Sequence, residues 1–162
     1  MKILAVDPST TSCGVFDGVT PETWVFKGTR PVRFAAFAEQ FSAKLKQAAD
    51  TGMPFDVVIY EYAFARGADA TRCGWGMDGI IEALATSGGC AVIDVQNGTL
   101  KKWAREQGAI ITPGNKKKKV KGNGKQGMID FVLAKFAIPV ASDDEADAIA
   151  AWHYAREKAV VR

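Results

Sequence analysis

The sequence predicts an α/β domain on a mixed sheet. Three observations carry this. Three short β-like runs, 2–7, 13–17 and 23–27, fall close together and are separated by turn-rich clusters. Two later apolar runs, 55–63 and 90–95, flank a helical stretch. Everything after residue 98 reads as helix or loop.

The elements follow in order. The Ser/Thr/Gly stretch after Asp7 and Thr20-Pro21-Glu22 suit the turns of an antiparallel meander. Pro31 opens a helix in which Phe34, Phe37, Phe41 and Leu45 recur at three- and four-residue spacing, and Thr51-Gly52 closes it. Residues 55–63 form a buried strand, 70–86 a helix ending at Ser87-Gly88-Gly89, and 90–95 a further buried strand. Two strands joined by a helical crossover are parallel neighbours. A short basic helix over 99–107, a loop over 110–124, an amphipathic helix over 126–136 and a closing helix over 142–160 complete the chain. This βββαβαβ order, then helices, is similar to the RNase H-like arrangement, with a five-stranded sheet whose first three strands are antiparallel.

At 162 residues, with 48% hydrophobic and 24% charged content, the chain is expected to be one globular domain over 1–162. No apolar run is long enough to span a bilayer, and the stretch after Lys2 stops at Asp7, too short for a secretory signal. A cytoplasmic protein without a membrane partner is expected. Cys13, Cys73 and Cys90 are odd in number and widely spaced, which predicts reduced structural thiols rather than a zinc site.

The net charge of +3 conceals a separation. Between Thr99 and Lys135 stand ten basic residues, Lys101, Lys102 and Lys116 to Lys119 among them, against Glu106 and Asp130 alone. That segment carries +8 on an otherwise mildly acidic body, which fits a polyanionic partner or a solvated lysine loop.

Two apolar strands end in acids. Side chains alternate along a strand, so Ile3, Ala5 and Asp7 share one face, as do Val57, Ile59 and Glu61. Asp144 and Asp147, spaced i, i+3, point the same way from a helix whose face continues with Ala148, Ala151 and Ala155. Small residues allow that helix to lie close on the sheet, bringing its acids to the strand acids. Four carboxylates gathered in a low dielectric repel by several kcal/mol unless a cation intervenes. All-oxygen ligation suits Mg²⁺ or Mn²⁺, and two such ions about 3.5–4 Å apart serve phosphodiester cleavage. Each acid also has a plainer reading: Asp7 as a turn cap at Ser9-Thr10, and Asp143 to Asp147 as favourable charges at a helix N-terminus. Asp144-Glu145-Ala146-Asp147 spells a helicase box, but the chain lacks a phosphate loop, since GNGKQG has neither the first glycine nor the Ser/Thr.

In order and spacing, Asp7-Pro8-Ser9-Thr10 with Gly14, Tyr60-Glu61 with Phe64, Gly122-Asn123-Gly124-Lys125, and Asp144-x-x-Asp147-Ala148-Ile149-Ala150 resemble RuvC-type Holliday junction resolvases, phage-encoded members in particular. The resemblance implies an RNase H-like fold, a homodimer, and Mg²⁺-dependent paired nicking of four-way DNA junctions, with Mn²⁺ as substitute and two ions per site. It makes Asp7, Glu61, Asp144 and Asp147 the metal ligands. It also makes Phe64 the aromatic that stacks on unpaired bases, and Lys125 a catalytic lysine at the scissile phosphate. The upstream partner of Lys125 has two candidates, Lys101-Lys102 and the tract holding Lys117, Lys118, Lys119 and Lys121. The glycines Gly74, Gly76 and Gly79 weaken a helix by about 1 kcal/mol each and are expected where another backbone approaches, which the resemblance places at the dimer interface. If phage-encoded, the protein would work in the host cytoplasm. His153, Trp75, Trp103 and Trp152 read as core or interface residues. Two rivals remain: a non-catalytic nucleic-acid-binding module of the same fold, and an RNase H-like nuclease acting on hybrids or other branched substrates.

Overall fold

The computed structural model describes residues 1–62, 68–112, 114 and 122–159, with backbone alone at 69, 70 and 159. Phe64, Lys117, Lys118, Lys119 and Lys121 lie outside the described residues.

Strands β1 (Ile3–Pro8), β2 (Ser12–Phe16) and β3 (Pro21–Val25) form the antiparallel meander. Helix α1 (Arg30–Asp50) leads to β4 (Val57–Tyr62), and α2 (Ala68–Ser87) crosses to β5 (Ala91–Gln96). β1 pairs parallel with β4, and β4 with β5, giving the sheet order β3-β2-β1-β4-β5. Three helices follow: α3 (Asn97–Glu106), α4 (Gly124–Phe136) and α5 (Asp143–Ala159).

Strand alternation divides the core into two layers. Leu4, Val6, Val58 and Tyr60 face α1 and α2, where Phe37, Phe41, Met77 and Ile81 are buried. Ile3, Ala5, Val57 and Ile59 face the other side, with Ala148, Ala151 and Ala155 of α5 and, beyond them, Trp103, Met128 and Phe131. Asp7 and Glu61 extend the second pair of rows, so the expected parity holds.

Boundaries differ where pairing overrides local pattern. β3 begins at Pro21, two residues earlier than expected, because Phe16 pairs with Pro21. A proline is tolerated as the first residue of an edge strand. α4 begins at Gly124, which puts Lys125 in its first turn. In α2, the expectation that the glycines admit another backbone fails at Gly76, where a Cβ would sit 2.3 Å from the Phe34 ring. That glycine accommodates an aromatic side chain of the same chain. Trp75 is not core either; it is 60% exposed, whereas Trp103 is 4% exposed. Cys13, Cys73 and Cys90 are free and buried.

Candidate active site

Asp7 pairs across β1 and β2 with Gly14. A Cβ built on Gly14 would stand 2.0 Å from the carbonyl oxygen of Asp144, so only glycine lets the start of α5 rest on the hairpin there. The close approach sets Asp144 and, one turn on, Asp147 over the end of β1. Glu61 arrives from the neighbouring strand, one residue beyond the Val6–Tyr60 pair just as Asp7 is.

The four acids lie within each other's fields. Asp7 and Asp147 are each 8% exposed. Burial, followed by the charges of Glu61, Asp147, Asp144 and Asp143, holds the Asp7 carboxyl well above the usual carboxylate range. Asp147 is pushed up to about 7, by burial first and then by Glu61, with Lys101 opposing. Burial also raises Glu61, against a hydrogen bond from Asn97 and the charge of Lys101. Two oxygens in this buried set, Glu61 Oε2 and Asp147 Oδ1, have no hydrogen-bond partner among the described residues. Orphaned acceptors of like charge are costly without a cation.

Among the described residues no three His, Cys, Asp or Glu side chains close around one point as a cation cage. The chemistry of the donor set nevertheless fits a hard divalent ion: oxygen ligands only, two of them unpartnered, in a cluster whose self-repulsion such an ion would cancel.

No protein-family model matches the chain, and no curated protein does. Solved structures do. Thermus thermophilus RuvC in complex with a Holliday junction substrate matches at TM-score 0.67 with 16% identity, over 98% of this chain and 97% of that one. A second Thermus thermophilus RuvC structure matches at TM-score 0.67 and 16% identity, over 97% and 96%. The chain has the RuvC fold. Its mixed sheet and flanking helices are the RNase H-like arrangement the element order predicts.

On this RuvC fold the basic candidates separate. Lys125, 80% exposed, forms an ion pair with Asp143, and that pairing, with the charges of Asp144 and Asp147 beyond it, raises its pKa. Lys101 stands near enough to Glu61 and Asp147 for its charge to offset part of the rise in both. Its ammonium is also 3.8 Å from where a Cβ on Gly124 would be, at the start of α4. Of the upstream candidates within the described residues, Lys101 is at the acids. Lys102 is not: it lies 4.0 Å from Glu106 one turn along α3.

Other residues prove structural. Glu145 is 6% exposed because it caps α5, accepting from the Ala141 backbone N–H and from Thr23 Oγ1, both at 2.6 Å, while its own N–H donates to Ser142 Oγ at 3.1 Å. The helix-terminus reading of the acidic run therefore holds for Glu145. His153 stacks flat on Phe136 at 3.6 Å, and burial together with Arg156 lowers its pKa to about 4. It is a neutral packing residue at pH 7.

Two contacts to the acids come from residues the sequence reading missed, and a third pairing links Lys125 to an acid that reading placed only at the helix N-terminus. Ser12 Oγ donates to Asp144 Oδ2 at 2.5 Å and is itself 2.9 Å from Ser9 Oγ. Asn97 Nδ2 donates to Glu61 Oε1 at 2.5 Å. Asp143 holds Lys125. Ser12 and Asp144 are 132 residues apart and Asn97 and Glu61 36 apart, so no local pattern could have paired them. A cavity of about 410 Å³ lined by Gln107, Asn123, Phe131 and Lys135 lies elsewhere and includes none of the four acids.

Proposed function

We propose that the protein is a metal-dependent endonuclease that cuts branched DNA, resolving four-way junctions by paired nicks as a homodimer. One observation carries the reading: Asp7, Glu61, Asp144 and Asp147, from β1, β4 and α5 of a RuvC fold, share a buried and mutually repelling cluster with Lys101 and Lys125 at its edge. The solved RuvC of the same fold is in complex with a Holliday junction substrate, which supports branched DNA as the ligand.

Asp7, Glu61, Asp144 and Asp147 would hold Mg²⁺ or Mn²⁺, two ions per site. Bound there, the metal would supply activation of a water and stabilisation of the leaving oxygen. The chain's own groups do the rest. Asp147, with a pKa of about 7, must release its proton before it serves as a ligand, so loading is tied to pH. Lys125 is exposed and already aimed at the acids, and it can exchange its Asp143 partner for a phosphate oxygen. Lys101, on the other flank, lends positive charge beside Glu61 and Asp147. The proposed stacking role of Phe64 and the backbone contacts of Lys102, Lys117, Lys118, Lys119 and Lys121 rest on the sequence resemblance alone.

A non-catalytic binding module is favoured by a single observation, that no three acids close around one point among the described residues. One gel series separates the readings. A synthetic four-way junction, a fork, a flap and an RNA–DNA hybrid are incubated with wild type and Asp7→Asn, in Mg²⁺ and in EDTA. We expect symmetric nicks on the junction in Mg²⁺ only. Asp7→Asn should lose about 10³-fold or more in rate, equivalent to about 4 kcal/mol of transition-state stabilisation, while still binding the junction. Metal-independent binding without nicking would favour the module, and preferred cutting of the hybrid would favour an RNase H-like activity.

A further inference from the structure

We propose that Asn97 is a positioning residue for Glu61, tying down one carboxylate oxygen so that the other stays presented to a divalent cation. The inference rests on the metal-centre reading above. β4 and β5 are parallel and in register to the Tyr62–Gln96 pair, so Asn97, the first residue of α3, emerges at the strand end beside Glu61. Its amide donates to Oε1 at 2.5 Å, while Oε2, buried, accepts from nothing among the described residues.

Asparagine is among the favoured residues at a helix N-cap. Here the N-cap is Gln96, and the Asn97 amide is spent on Glu61 instead. A neutral donor suits the task. It fixes the carboxylate without the positive charge that a lysine or arginine would set against an incoming cation. Rotation of the Glu61 carboxylate away from its present orientation would break a short hydrogen bond in a buried site, which is what restricts it. Ser12 makes the equivalent contact to Asp144 at 2.5 Å, with Ser9 behind it, so two ligands from different elements are each held by one oxygen. Partners of this kind behind metal ligands change metal affinity by about 10–100-fold when removed.

The test is calorimetric titration of Mn²⁺ into the full chain without DNA, at neutral pH, for wild type, Asn97→Ala, Asn97→Leu and Glu61→Gln, with thermal melting of each. Asn97→Leu keeps most of the side-chain volume, so it guards against a packing defect in Asn97→Ala. Both Asn97 variants should bind Mn²⁺ about 10–100-fold more weakly, with stoichiometry and melting temperature of the metal-free protein retained. A lower stoichiometry with unchanged affinity would mean that Asn97 serves folding only and would overturn the proposal. So would wild-type affinity in both Asn97 variants while Glu61→Gln is weakened, and in that case the metal-centre reading stands. If wild type takes up no Mn²⁺, or Glu61→Gln binds it as wild type does, the metal-centre reading itself fails and the role of Asn97 with it.

Discussion

Burial, and then the charge of neighbouring carboxylates, raises the pKa of both Asp7 and Asp147, and this has a cost that depends on pH. A carboxyl raised in the folded state binds more protons there than in the unfolded chain, so stability falls as pH rises from the unfolded value to the folded one. For Asp147 that window runs from 3.8 to about 7. The metal-free protein should therefore melt at a lower temperature at pH 8 than at pH 5. Asp147→Asn should melt above wild type at pH 8 in EDTA, by a margin that narrows as pH falls, vanishes only below about pH 4, and shrinks in excess Mg²⁺. Equal melting curves at all pH values would show that the acids are solvated. Asp7 and Glu61 were legible in the sequence because a charge closing an apolar strand is anomalous on its own. The roles of Ser12 and Asn97, and the pairing of Asp143 with Lys125, were not, since a polar residue in a turn or at a helix start is ordinary until its distant partner is known.

The site depends on α5 lying directly on the β1–β2 hairpin, and Gly14 is the residue that permits it. Any side chain there meets the Asp144 backbone, which cannot yield without moving the whole helix start. Gly14→Ala should destabilise by about 3 kcal/mol or more and lower the melting temperature by about 10 °C, as read by circular dichroism. A melting temperature within a degree or two of wild type would contradict the contact. The type of every element was readable from periodicity, and so was the face of α5, because alanines at i, i+3 and i+7 have few uses other than close packing. What the pattern could not supply was pairing. β3 started earlier than its β-branched residues implied because Phe16 selects Pro21 as partner. At Gly76 the ring of Phe34, from the same chain, takes the space that a partner backbone was expected to use.

The whole molecule sets a segment of net +8 against an acidic body, and the acids it adjoins are the candidate metal ligands. Binding through lysine–phosphate contacts releases counterions, so affinity for a four-way junction in EDTA should fall with salt. With about five contacts, a log–log slope near −4.5 is expected by fluorescence anisotropy, and a flat dependence would remove the basic segment from the interface. Topology was legible at this scale because one helical crossover between two apolar strands leaves parallel pairing as the simplest outcome. The convergence of the four acids is an inference from parity and helix spacing, and the structure brings them into each other's fields without a closed cage among the described residues. The central claim is that this cluster is a divalent-cation site. Anomalous diffraction from crystals soaked in Mn²⁺ tests it most directly: the account predicts a peak contacted by Asp7 together with Glu61 Oε2 or Asp147 Oδ1, and Mn²⁺ bound elsewhere with no density between those carboxylates would contradict it.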